Sequence, residues 1–268
     1  MNRVTPETPI ETVLDLMRRD GYVLMENALT TEQVICLSAD YERQLSLLPQ
    51  PKEGALRLEI TRILERDPAF ELLMDLPTVF QVALALLGAD IELATGGELD
   101  HKLPHTPSYI GWHNDFQWMV NVPYPRQNHW VRCTYFLSDV TENTGPFTLL
   151  PGSHNKESAC PNDLKDSTGQ PLTLEGQIGI TGPAGSCLIN NTEIWHCNSA
   201  NRGELPRRLI MILYKHAWMK QWQEAYEVTP EFAARQTNPI RRQLTGLIPW
   251  HQGETAFPAA QMLAKLRV

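Results

Sequence analysis

Apolar positions follow two different spacings along the chain, and the change between them marks its organisation. In the first third the spacing is helical. Ile10, Val13, Leu14 and Met17 recur at three- and four-residue steps, with Thr8-Pro9 as cap and first-turn proline and Gly21 as the stop. Tyr22, Val23, Leu24 and Met25 form a short strand. Thr30-Thr31-Glu32-Gln33 opens a second helix, with Val34, Leu37, Tyr41 and Leu45 on one face. Residues 49–54 read as loop. Asp67-Pro68 caps another helix through Phe70, Leu72 and Leu73, and a further one covers about residues 78–87 and ends at Gly88.

After Gly88 the alternation becomes twofold. Residues 91–94, 98–103, the stretch around His113, and residues 130–137, 147–150, 186–189 and 208–214 read as strands separated by Pro, Gly, Asn and Asp. Many short strands of this kind predict a sandwich or barrel. Residues 155–184 are polar and carry glycines and prolines, so they read as a long insert loop, either functional or mobile. Helix returns from Trp218 and runs to the end through residues 261–266. The expectation is one domain over residues 1–268. It is mainly β with flanking helices: a helical buttress (1–88), a β core (89–215) and a C-terminal helical extension (216–268). No Gly-x-Gly-x-x-Gly or phosphate-binding loop points to a nucleotide.

Composition narrows the partners. The chain has 268 residues, 42% of them hydrophobic and 20% charged, with a net charge of −8. That acidity argues against nucleic acid and against an anionic membrane surface. There is no apolar leader, and no run approaches the ~20 apolar residues of a membrane helix. The five cysteines (Cys36, Cys133, Cys160, Cys187, Cys197) are scattered, with no Cys-x-x-Cys, so a reducing cytoplasm is expected rather than a disulfide framework. Nothing in the sequence reads on oligomeric state.

The candidate chemistry lies in Gly111-Trp112-His113-Asn114-Asp115. Alternate residues of a strand share a face, so the His113 imidazole and the Asp115 carboxylate would enter one space. They are two thirds of a 2-His-1-carboxylate facial triad, which leaves iron(II) open positions. His196 is the candidate third ligand. Alone, a His-x-Asp pair reads equally well as a satisfied polar pair.

The surrounding motifs supply context. The chain resembles the phytanoyl-CoA dioxygenase family of iron(II)/2-oxoglutarate oxygenases in several pieces, in the family's order. Arg19-Asp20-Gly21-Tyr22-Val23-Leu24 resembles its opening strand, and Trp112-His113-Asn114-Asp115 its iron motif. Asn143-Thr144-Gly145-Pro146-Phe147, leading into Pro151-Gly152-Ser153-His154, resembles its hairpin, with Thr144 as an extra residue. His196 precedes Arg207 by the family's interval of 11 residues, and Arg241-Arg242-Gln243-Leu244-Thr245-Gly246 resembles its tail.

The resemblance implies a double-stranded β-helix (jelly-roll, cupin-like) core with the metal between its sheets. It implies iron(II) on His113, Asp115 and His196, 2-oxoglutarate as cosubstrate and O2 as oxidant. Arg207 is implied for the far carboxylate of the cosubstrate, which suits a permanently charged, forked guanidinium. Arg202 and Arg208 compete for that role. Strand alternation separates Arg207 from Arg208; Arg207 shares parity with Leu209, Met211 and Leu213, but the other parity is apolar too, and the family's interval is what favours Arg207. Thr134 stands where the family places a cosubstrate contact. Asn198 stands where many members have serine. Ser153-His154 resembles a structural turn rather than a hydrolytic pair.

Related halogenases lack the carboxylate ligand, so Asp115 favours hydroxylation of a small-molecule C–H with release of succinate and CO2. Desaturation, cyclisation and epimerisation share the same start. A cupin-type isomerase or hydrolase on the same triad is the alternative, and a non-catalytic sandwich is the third reading. Trp112, Phe116, Trp118, Trp130 and Trp195 crowd the motifs, some as pocket and more as core.

Overall fold

The structure is a computed structural model, and it describes residues 1–115, 128–156, 160, 164–219, 228–248 and 257–266. Helix α1 (Ile10–Asp20) buries Val13, Leu14 and Met17. It stops at Gly21, whose φ of 81° is left-handed and whose N–H donates to the Met17 carbonyl. Its N-terminal cap is Pro9, without a side-chain bond, because the Thr8 hydroxyl accepts from the Thr5 N–H instead. Helix α2 (Thr31–Ser46) opens on a capping box in which Thr30 and Gln33 satisfy each other's backbone N–H. After α3 (Ile63–Arg66), the segment expected as helix from Asp67-Pro68 is a 3-10 helix, Pro68–Met74, capped by Asp67. Pro77 at the start of α4 (Pro77–Leu87) stops it after that short run.

The strands are β1 (Arg3–Val4), β2 (Tyr22–Met25), β3 (Arg57–Thr61), β4 (Ile91–Leu93), β5 (Glu98–Lys102), β6 (Trp130–Phe136), β7 (Phe147–Leu149), β8 (Ile178–Gly179), β9 (Cys187–Asn191), β10 (His196–Asn198) and β11 (Arg207–His216). The large sheet runs β1-β2-β9-β6-β11-β5-β3, with β4 also on β11; its pairs are antiparallel except β1 with β2. The small sheet runs β10-β7-β8. Strand β3 escapes the sequence pattern because Arg57 and Glu59 occupy one of its faces.

Two cores follow from the strand alternation. On one face of the large sheet, Val131, Cys133, Tyr135, Ile189, Ile210, Ile212 and Tyr214 pack with the helices. On the other, Leu24, Phe136, Leu188 and Leu209 meet Phe147, Leu149 and Ile178 of the small sheet. Two facing sheets with helices outside one of them make the expected double-stranded β-helix. Among residues 164–184 of the expected insert, β8 and the bridges Trp112–Leu164 and Lys165–Pro171 are ordered structure. At the far end come α5 (Pro230–Arg235), α6 (Pro239–Leu244) and α7 (Pro258–Leu266). The Gln243 amide ties α6 to the sheet by donating to the carbonyls of Ala89 and Ile91. Among the described residues no cysteine is in a disulfide. Among the described residues no single helix is long and apolar enough to cross a membrane.

Candidate active site

His113 and His196 are brought together by the backbone. They form an isolated antiparallel bridge, each N–H donating to the other's carbonyl at 2.9 and 2.8 Å. The His113 stretch is therefore two bridging residues, Trp112 and His113, rather than an extended strand. The Asp115 N–H donates to the Thr192 carbonyl at 3.1 Å, which returns its side chain to the same space.

The side chains are oriented as metal ligands require. His113 Nδ1 meets the Gly111 carbonyl at 2.9 Å, and His196 Nδ1 meets the Ile194 carbonyl at 2.8 Å. A proton held on each Nδ1 leaves each Nε2 lone pair free. Those Nε2 atoms lie 3.8 and 3.6 Å from Asp115 Oδ1, and the three ligating atoms all fall within 4.8 Å of one another. Ligands ~2.1 Å from a metal on one octahedral face stand about 3 Å apart, so small side-chain shifts close the set. Burial pushes the His196 pKa down to about 3, against the opposing pull of Asp115, which keeps the imidazole neutral. The Phe147 ring stacks on His196 at 4.7 Å between centroids and shields it. The donor set fits iron(II).

Asp115 has a second partner. Its other oxygen, Oδ2, accepts from Arg132 Nη2 on β6. Arg132 was not singled out from the sequence.

From the triad a cavity of about 210 Å³ opens between the sheets. Arg207, Leu209, Met211 and Leu213 line it, as the parity argument expects. Arg207 is 2% exposed; its Nη2 donates to Asp100 Oδ2 at 2.5 Å and its Nη1 to the Gly145 carbonyl, while Nε has no partner among the described residues. Arg208 points the other way, to Glu42 at 3.1 Å and the Leu137 carbonyl at 3.1 Å. Arg202 is exposed.

Thr134 is buried and lines the cavity. Asn198 lines it too, with Oδ1 accepting from Ser108 Oγ at 2.8 Å and the Tyr109 N–H at 3.1 Å. Lys102 lies beside Arg207 in the sheet register, donates to the Pro107 carbonyl at 2.8 Å and sits over the Tyr109 ring. Burial, with the Arg207 charge second, pushes its pKa down to about 8.

Other sequence candidates fall outside the cavity. Ser153 Oγ accepts from the Trp195 N–H at 2.8 Å, and His154 packs against Gly21 and the Arg18 carbonyl, so this pair fastens a turn. Trp112 is fully buried and donates to the Leu172 carbonyl at 2.7 Å, and Trp195 lies under Lys156. Trp130 does line the cavity. Phe116 and Trp118 lie outside the described residues. Sequence reasoning missed Arg57, Glu98, Asp100, Tyr109 and Arg132 as cavity residues. A signal existed for Arg132, which holds the inward parity of a strand whose other face is Val131, Cys133 and Tyr135.

Two facing sheets that enclose a His-Asp-His ligand set and a buried arginine define the class as a double-stranded β-helix enzyme with a mononuclear metal centre. The chain belongs to the phytanoyl-CoA dioxygenase (PhyH) family, whose profile matches residues 17–209. It is an iron(II)- and 2-oxoglutarate-dependent oxygenase, which the comparisons favour over a cupin-type isomerase or hydrolase.

Among characterised relatives, the ectoine dioxygenase of Bordetella parapertussis (strain 12822) is 27% identical over 228 residues, covering 73% of this chain and 72% of that one. Among solved structures, HygX from Streptomyces hygroscopicus with nickel and 2-oxoglutarate bound superposes with a TM-score of 0.64 at 15% identity, over 82% of this chain and 92% of that one. The non-heme 2-oxoglutarate-dependent epimerase SnoN from nogalamycin biosynthesis gives a TM-score of 0.61 at 21% identity, over 78% and 83%. At these identities the two structures share the fold. The arginine-rich tail at 241–246 lies beyond the family match.

Proposed function

We propose that His113, Asp115 and His196 hold the iron(II), that Arg207 takes the far carboxylate of 2-oxoglutarate, and that the enzyme hydroxylates an unactivated C–H of a small molecule with release of succinate and CO2. The single observation that carries this is the convergence of the three ligating atoms within 4.8 Å in a cavity that also reaches Arg207. The iron and cosubstrate, when bound, supply the oxidising chemistry. The chain supplies geometry. Gly111 and Ile194 carbonyls hold the two imidazoles in one tautomer. Arg132 holds the Asp115 carboxylate so that Oδ1 faces the histidines. Asp100 and the Gly145 carbonyl hold the Arg207 fork in place.

Arg57 and Lys102 add positive charge at the Arg207 end, which outweighs Asp100 there and favours a carboxylate. Asn198 lines the same cavity, and Thr134 lines it at the level of Met211. The ectoine dioxygenase relative supports a small substrate. The chain works as one domain from its helical buttress to its C-terminal helices. Its five free cysteines suit a reducing cytoplasm.

The test is an anaerobic titration with iron(II) and then 2-oxoglutarate. The expected result is the weak visible charge-transfer band of the chelate, lost in His196→Ala. Iron binding without the band would overturn the cosubstrate assignment, and no iron binding would overturn the triad.

A further inference from the structure

Charged side chains on the cavity side of the large sheet are bonded, Lys102 to the Pro107 carbonyl and others in ion pairs. Arg207 holds Asp100, Arg132 holds Asp115, and Arg57 holds Glu59. Glu98 breaks this pattern. It lines the cavity, yet its carboxylate makes no hydrogen bond or ion pair among the described residues.

Its place is set by the sheet register. Glu98 stands opposite Met211, and Met211 stands opposite Thr134. Arg207 pairs with Lys102, four residues further along both strands, or roughly 13 Å at the rise of a strand. Glu98 is therefore remote from the positive end that receives the cosubstrate. It belongs to the half of the cavity that holds Arg132, Trp130 and Thr95.

Glu98 is half-buried, and a carboxylate that faces a cavity without a bonded partner among the described residues is costly to charge. Burial raises its pKa, with Glu59 and Asp100 adding to the rise and Arg132 and Arg57 opposing it. A second, negatively charged ligand could not sit beside it without repulsion. A positively charged one would remove the cost.

We infer that Glu98 is the counter-ion for a positively charged nitrogen on the substrate, so that this oxygenase takes small ammonium- or amidinium-bearing molecules. The inference rests on the proposed function, because it assigns the remaining half of the same cavity. The carboxylate would accept hydrogen bonds from the nitrogen and fix which carbon faces the iron.

The experiment loads the protein anaerobically with iron(II) and 2-oxoglutarate and records the charge-transfer band. Matched probes are then titrated: L-proline against tetrahydrofuran-2-carboxylate, piperidine against tetrahydropyran, and benzamidine against benzamide. At least one cation is expected to perturb the band while its neutral-ring partner does not. In Glu98→Gln that cation should bind at least about tenfold more weakly, the scale of one lost charge-assisted bond, with the band itself unchanged. Glu98→Asp, which keeps the charge, should retain the preference for the cation. The inference is overturned if no cation perturbs the band, if the neutral partners bind as well, or if Glu98→Gln binds the cation as the native protein does. Loss of the band in Glu98→Gln would also overturn it, by placing Glu98 at the cosubstrate. Failure of the band in the native protein would instead strike the iron and 2-oxoglutarate reading itself.

Discussion

The two faces of the large sheet are made from the same strands and have opposite chemistry. Facing the helices, β6 and β11 present Val131, Cys133, Tyr135, Ile210, Ile212 and Tyr214, all buried and, apart from the tyrosine hydroxyls and the thiol, hydrocarbon. Facing the small sheet, the neighbouring positions are Trp130, Arg132 and Thr134 on β6 and Arg207, Leu209 and Met211 on β11. On β5 the contrast is Leu99 and His101 against Glu98, Asp100 and Lys102. One face supplies the apolar burial that stabilises the fold. The other holds charges in paired geometry, which contributes little net stability but places ligands and anchors. Stability and chemistry are thereby separated by one residue of register.

Five substitutions would break or sharpen this contrast. The largest effect on chemistry is expected for Asp115→Ala, which should abolish iron-dependent succinate formation while the urea midpoint stays near native. Undiminished turnover would mean that the inner face does not hold the metal through this residue. The largest effect on folding is expected on the other face. Ile212→Ala should cost about 3 kcal/mol in a urea titration by opening a cavity in the helix-side core. The band formed with iron and 2-oxoglutarate should survive in the protein that remains folded, and its loss would show that the faces are not separable.

A smaller, one-sided effect is expected at the edge of β11. Arg207→Ala should raise the 2-oxoglutarate concentration needed for half-maximal band by roughly 10- to 100-fold, the scale of a lost charge-assisted pair. Arg208→Ala, which loses only Glu42 and a carbonyl, should change it far less. The reverse ranking would exchange the roles of the two arginines.

The smallest effect concerns Glu98 in the metal-free protein. Its folded-state pKa is raised, so the folded protein binds that proton more tightly than the unfolded chain does. The cost of its charge is then fully present above the raised value and absent below the ordinary carboxylate range. Glu98→Gln should melt higher than native near pH 7, and the difference should shrink as pH falls through the raised pKa towards 4.5. An equal or growing difference at low pH would show that Glu98 is not strained by burial.

Much of this was readable in advance, and the misses share a cause. The helices α1, α2 and α4 and the strands β4, β5, β6, β7, β9 and β11 follow apolar periodicity, a local property of the chain. Strand β3 was missed because Arg57 and Glu59 take the positions where alternation would show a hydrophobic face. The 3-10 form of Pro68–Met74 was missed because its residue types suit an α-helix equally and only its junction with α4 separates the two. In the site, His113, Asp115, His196 and Arg207 carried sequence signals of spacing and motif. Arg132, Asp100 and Glu98 carried only charge on an inward parity, a signal that means little until both faces of the sheet are known to be covered.

The sequence alone determined the residue chemistry and the twofold alternation: which side chains could bind a metal, and that Arg207 and Arg208 lie on opposite faces of β11. These follow from composition and local geometry, where neighbours along the chain decide the outcome. Only the tertiary structure decided which charges meet. The pairing of Arg207 with Asp100, of Arg132 with Asp115, and the isolation of Glu98 depend on strand order and register between segments far apart in the chain. Such contacts form across hydrogen-bonded strands and between sheets, where no periodicity along one strand carries the information.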